Sequence, residues 1–132
     1  MPFINIFLSG SELSHDQKEQ LFYQTTELMY VVMHKKKELT SVRLRLSEST
    51  DWAIGSRLMN EGKERAVYMD IKVTEGTNTA AEKSEMIKQS ILMLKHVVGP
   101  IAAASYVVIH DVAGDSWGYD GLTQQARAQG HS

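Results

Sequence analysis

Pro2-Phe3-Ile4-Asn5-Ile6-Phe7-Leu8, directly behind Met1, is an apolar run of strand character, and Ser9-Gly10 closes it. Ile and Phe suit a pleated, buried surface, and the glycine marks the turn that ends it. Beyond the turn, Ser14 to Met33 carries Leu21, Thr25, Leu28 and Val32 at spacings of three and four, the pattern of a helix that buries one stripe. A second strand, Ser41 to Leu46, follows, and then the loop Trp52-Ala53-Ile54-Gly55. The order is β-α-β.

That order returns in the second half. Val67 to Val73 reads as a strand, Gly76 as its turn, and Thr79 to Val98 as a helix with the stripe Ile87, Ile91, Leu94 and Val98. Ser105 to Ile109 is the last strand, followed by Trp117-Gly118-Tyr119-Asp120-Gly121. Sliding the chain by 66 positions, the distance from Gly10 to Gly76, pairs Glu19 with Glu85, Leu21 with Ile87 and Leu28 with Leu94. Two strands joined through a helix lie parallel with a right-handed crossover. The expected fold is therefore α+β: tandem β-α-β units forming one four-stranded sheet with two helices on one face. The chain is expected to be a single domain, residues 1–132, made of halves spanning about 1–62 and 63–132. The polar stretch Arg57 to Arg65 reads as the surface connection between them. A sheet covered on one face leaves the other to be buried, and a second copy of the chain is the natural cover, so a homo-oligomer is expected.

Composition narrows the function. With 132 residues and 42% hydrophobic content the chain suits one packed core. A net charge of -2 offers no general attraction to nucleic acid or anionic lipid, so neither is an expected partner. The sequence has no cysteine, hence no disulfide framework and no thiolate nucleophile, which fits a reducing compartment. The five histidines, His15, His34, His96, His110 and His131, lack ligand spacing, so no metal is expected. No apolar stretch is long enough to span a membrane and no secretory leader is recognisable, and a cytoplasmic location is expected.

Pro2 is the residue with chemistry to offer. Removal of Met1 would leave a secondary amine at a strand start, with an ordinary pKa near ~7.7 to 8.0 that burial would lower towards neutrality. Such a group suits general-base work at neutral pH. Arg43 and Arg45 are two apart on a strand and share a face, where they could hold an anion. Lys72 is a further cation, placed in the alternation Val67 to Val73 where it could edge the sheet. Trp52 and Trp117 are candidates either for walling a dry pocket or for anchoring hairpins. Tyr119, Tyr106 and Asn5 are candidate donors to a developing enolate oxygen. His34-Lys35-Lys36-Lys37 reads as a solvated helix end whose cations complement the dipole.

Taken together, Pro2 on a strand, Thr40-Ser41-Val42-Arg43 and Trp52-Ala53-Ile54-Gly55 resemble the tautomerase superfamily typified by 4-oxalocrotonate tautomerase, in a fused, two-unit form. The resemblance implies a homotrimer and one active site per chain, since the second half begins internally near Ala66. It implies a cofactor-independent isomerase that moves a proton in a small 2-oxo or enol carboxylic acid. Pro2 would be the general base, Arg43 the carboxylate anchor, and Arg45, Lys72, Trp52, Trp117 and Tyr119 the remaining substrate-binding residues. One alternative within the superfamily is a dehalogenase, hydratase or decarboxylase with Pro2 as general acid; Asp51, Glu48, Asp115 and Asp120 are then candidates to activate water. Another alternative is a non-catalytic oligomeric module of ferredoxin-like topology. The chain departs from the prototype after the first glycine, where an arginine gives way to Ser11; the second half has Thr77 there. One missing cation argues for a single substrate carboxylate rather than two.

Overall fold

The computed structural model describes residues 2–130; Met1 and His131 lie outside the described residues. Strand β1 (Phe3–Ser9) leads to α1 (His15–Val31), β2 (Ser41–Ser47), a hairpin of β3 (Ala53–Ile54) and β4 (Arg57–Leu58), and β5 (Val67–Thr74). Then come α2 (Ala80–Val98), β6 (Tyr106–Val112), a hairpin of β7 (Gly118–Tyr119) and β8 (Leu122–Thr123), and α3 (Gln124–Ala128). The sheet order is β2-β1-β5-β6, with β1/β2 and β5/β6 parallel and the central pair β1/β5 antiparallel. This is the expected pair of β-α-β units. It is not the split arrangement of the ferredoxin-like module, because no strand enters between β1 and β2. No helix among the described residues is long and apolar enough to cross a membrane.

Local chemistry sets the helices. Ser14 caps α1 and Gln17 reaches back to it; Thr79 and Glu82 repeat the arrangement at α2. Each is a capping box, satisfying backbone donors that the first turn leaves free. Ile4, Ile6 and Leu8 of β1, with Val67, Met69, Ile71 and Val73 of β5, point at the helices and are buried. They meet Leu21 and Met29 from α1 and Met86, Met93 and Leu94 from α2. Each such side chain fully withdrawn from water contributes about 1.5 to 3 kcal/mol.

The repeat register differs from the expected one. Cap matches cap at 65 positions, Ser14 to Thr79, and the strand residues keep that offset: Ile4 and Met69 pair alike with Val42 and Val107. Leu21 therefore corresponds to Met86, both fully buried, while Ile87 is exposed. The glycines misled because they stand at different places in turns of equal length: Gly10 directly follows β1, whereas Glu75 stands between β5 and Gly76. The connection between halves is also shorter than Arg57 to Arg65, since Arg57 and Leu58 belong to the first hairpin. Both hairpins turn through two residues of positive φ, Gly55 and Ser56 in one, Asp120 and Gly121 in the other. Such turns match the twist of the flanking strands.

The correct register exposes a symmetric defect. Thr25 and Ser90, 65 apart, are both fully buried, and neither hydroxyl has a hydrogen-bond partner. Thr25→Val and Ser90→Ala are each expected to stabilise the fold by about 1 kcal/mol, because an unpaired hydroxyl costs more buried than removed. Urea midpoints measure this; a fall instead of a rise would mean that the hydroxyls are satisfied by internal water.

Candidate active site

Pro2 is buried, and its carbonyl accepts a hydrogen bond from Ser41 N at 3.3 Å. Phe3 lies in register with Ser41 on one side and Lys72 on the other, so Pro2 stands one residue further out, across from Val73. A strand start suits proline, whose missing N–H is no loss to the ladder there. At this end of the sheet β1 and β2 begin while β5 and β6 finish.

The second hairpin comes to the same end. Trp117 donates its indole N–H to Thr74 Oγ1 at 3.1 Å, fixing the hairpin to the last residue of β5. Tyr119 follows, its ring covered by the Arg127 guanidinium, whose carbon lies 3.8 Å from the ring centroid. Arg127 Nη2 also donates to the Tyr119 carbonyl at 2.8 Å. On the helix side, Thr77 Oγ1 donates to the Thr74 carbonyl at 2.6 Å and accepts from Lys35 Nζ at 2.8 Å. Trp117 and Lys35 thus bracket the end of β5, beside the strand that Pro2 starts.

Other candidates are placed elsewhere in the protomer. Arg43 and Arg45 are exposed on the sheet face opposite the helices, in register with Asn5 and Phe7. At the usual rise per strand residue they stand about 10 and 17 Å along the sheet from Pro2. Trp52 follows the far end of β2, which runs away from Pro2, so its hairpin lies at the opposite end. Lys72 is on a central strand and not an edge, and its Nζ is 2.6 Å from Asp70 Oδ2, so its charge is already balanced. Tyr106, 66% exposed, shares a row with Tyr68, Phe7 and Arg45, well away from Pro2.

The far end of the sheet is the second half's counterpart of the Pro2 end, and its backbone is spoken for. Val67, the counterpart of Pro2, is an amide that donates to Ser105 Oγ at 2.9 Å. Arg65 lies against the Gly10 turn, donating from Nη1 to the Ser9 and Ser11 carbonyls at 3.0 and 2.8 Å. Burial pushes its pKa down from the ordinary value. A cleft of about 350 Å³ between the first hairpin and Ala102–104 opens there, with no amine.

Sequence reading did not single out Thr74, Asp70 or Arg127, and it assigned Lys35 to a solvated helix end. The signal for Lys35 was absent locally, since its partner Thr77 lies 42 positions away.

Tandem β-α-β units around an antiparallel central pair, with a buried proline opening the first strand, define a two-unit protein of the 4-oxalocrotonate tautomerase type. Probable tautomerase K2 of Dickeya dadantii (strain 3937) is 30% identical over 66 residues, which make up 50% of this chain and 98% of that protein. The chain belongs to the tautomerase superfamily, as a fused member: its relative has the length of a single unit. No protein-family profile matches it. Among solved structures, native fused 4-OT superimposes with a TM-score of 0.84 at 20% identity, covering 96% of this chain and 98% of the other. The F6 fused 4-OT wild-type asymmetric trimer gives 0.83 at 18% identity, covering 95% and 98%. Pt0534 inactivated by 2-oxo-3-pentynoate gives 0.83 at 14%, with the same coverage.

Proposed function

We propose that this chain is a cofactor-independent tautomerase in which Pro2, freed by removal of Met1, is the general base. The observation that carries the reading is the burial of Pro2 at the sheet end where Trp117 and Lys35 meet β5. A buried secondary amine would be held in its neutral, proton-accepting form by desolvation. With an enol acid, Pro2 takes the hydroxyl proton as the carbonyl forms, and the same proton is delivered to the carbon of the former double bond. Nothing is oxidised and no group leaves. With a 2-oxo acid the steps run in reverse, through an enolate whose oxygen needs a donor; the Tyr119 hydroxyl is the proposed one.

Arg43 and Arg45 lie too far from Pro2 of their own protomer, so they are proposed to serve a site on another copy. The uncovered sheet face supports assembly, as does the trimeric state of the fused relatives of this fold. Arg43 would then hold a substrate carboxylate across the subunit boundary.

A relative of this fold is inactivated by 2-oxo-3-pentynoate, an alkynyl ketone that a secondary amine attacks by conjugate addition. The same reagent tests the reading here. Intact mass of the purified protein is expected to lack Met1, and treatment is expected to add one inhibitor per chain, on Pro2, with loss of phenylenolpyruvate turnover. A chain that retains Met1 in its own host, or that stays unlabelled and inactive, overturns the proposal. Nitrogen-15 NMR then separates the two enzymatic roles: a Pro2 pKa below about 8 is expected of a base. A clearly higher value would assign Pro2 as the acid of a hydrolytic enzyme.

A further inference from the structure

The two helices share a backbone plan but not an outer surface. In α1 the stripe Glu19, Tyr23, Glu27 and Tyr30, at spacings of four, four and three, lies opposite the buried Leu21, Thr25 and Met29. The equivalent stripe of α2, 65 positions on, is Ser84, Lys88, Leu92 and Lys95, opposite the buried Met86, Ser90 and Leu94. One row is acidic and aromatic, the other basic and aliphatic. Tyr23 is 63% exposed and Leu92 50%, and both border a groove of about 370 Å³ between the helices, lined also by Leu28, Val31 and Met93. Exposed apolar side chains gathered around a groove mark a contact surface.

The charges on this surface are poorly used within the protomer. Lys88 and Lys95 have no ion-pair partner among the described residues, while Glu19 meets only His15 and Glu27 only Lys37. The helices run antiparallel. Gln17, in the first turn of α1, donates to the Val97 carbonyl near the end of α2 at 3.3 Å, and Asn78, just ahead of α2, donates to the Met33 carbonyl beyond α1 at 2.9 Å.

We propose that this face docks a second copy of the chain about a twofold axis parallel to the helices, so that α1 of each copy lies antiparallel on α2 of the other. Such an axis keeps every residue at its own level along the helices. The Gln17–Val97 contact sets those levels: counting inward from it, Glu19 stands level with Lys95, while Tyr23 and Glu27 fall within one residue of Leu92 and Lys88. One residue is about 1.5 Å of rise, well within side-chain reach. Across the axis Glu19 therefore meets Lys95 of the other copy, Tyr23 meets Leu92 and Glu27 meets Lys88, and the symmetry makes each contact twice. The two grooves face one another, which withdraws Val31 and Leu92 from water. Two helices about 25 Å long and about 10 Å wide offer about 500 Å² per copy, or about 1,000 Å² in all. That is the lower limit for a specific interface, so the pairing is weak and concentration-dependent. It uses the side of the protomer away from the uncovered sheet face, and both contacts can form in one assembly. Nothing in it depends on the chemistry of Pro2.

Sedimentation equilibrium from about 1 μM to about 1 mM tests the pairing. The weight-average mass of wild type is expected to rise with concentration beyond that of the sheet-face assembly, and less so in about 0.5 M salt. The double variant Lys88→Glu, Lys95→Glu makes both rows acidic; Glu19→Lys, Glu27→Lys makes both basic. Each alone is expected to associate at least about tenfold more weakly than wild type, because like charges then face one another. An equimolar mixture of the two restores opposite charges at every contact and should recover the wild-type mass curve. Tyr23→Ser, which leaves all charges in place, should weaken association about tenfold as well. A wild type of constant mass over that range overturns the proposal and leaves the face to a different partner. Association that neither double variant weakens, or that the mixture fails to restore, overturns the pairing of the rows. If a charge reversal lowers the melting temperature, Tyr23→Ser decides, and an unchanged association constant there overturns the proposal.

Discussion

Pro2→Ala, with Met1 removed as in wild type, is expected to cut phenylenolpyruvate tautomerisation by about a hundredfold to ten-thousandfold, the usual contribution of a positioned general base. The substitution keeps an amine at the terminus but replaces a ring-constrained secondary amine with a primary one, free to rotate at the strand start. The fold should barely notice. Pro2 contributes a carbonyl to the ladder through Ser41 N, and alanine retains it. Far-ultraviolet circular dichroism and the melting temperature should therefore stay close to wild type while kcat collapses and KM moves little, the signature of a group that acts only as the barrier is crossed. Turnover within about threefold of wild type would remove the imino group from the mechanism and with it the base assignment.

Gly118→Ala should cause the second large effect, through packing rather than chemistry. A Cβ at Gly118 would overlap the Leu122 carbonyl and stand 2.8 Å from Thr123 Cα, both backbone atoms that cannot rotate away. The β7–β8 hairpin would have to open. Overpacking of this kind costs about 1 to 3 kcal/mol, and most of that cost falls on the hairpin and α3. Trp117 would lose its hold on Thr74, and Arg127 its place over Tyr119. The expected readouts are a red-shifted tryptophan emission and faster amide exchange over 118–128. Turnover should also drop, since the proposed site loses the hairpin fixed to Thr74 at the Pro2 end of the sheet. Wild-type emission and exchange in this variant would show that the hairpin has room that the geometry denies it.

The two variants mark what was legible in the sequence and what was not. Pro2, the paired helices and both hairpins are local signals: a proline at a strand start, capping residues ahead of apolar stripes, a Gly or Asp-Gly turn. The β-α-β plan followed from these together with the handedness of crossovers. The offset between halves did not, because a glycine can serve at either of two neighbouring places in a turn while strands and caps hold their register. Gly76 stands one place later in its turn than Gly10, while Ser14 and Thr79 keep their places relative to the core. The membership of the site was less legible. Trp52 and Trp117 look equivalent in sequence, yet the antiparallel central pair sends one to each end of the sheet. Arg43 and Lys35 were weighed by their immediate neighbours, and only the fold could tell that one stands on an open face and the other over a turn from the opposite half.

Joining two units in one polypeptide has a consequence for how the protein can change. In a protein of unit length, every substitution appears at both ends of a paired sheet at once. Here the two ends answer to different residues: Thr77 and Lys35 at one, Ser11 and Arg65 at the other. Each end can therefore carry contacts that the other lacks. The guanidinium of Arg65, lodged over the first glycine turn, is one such contact, at the end away from Pro2.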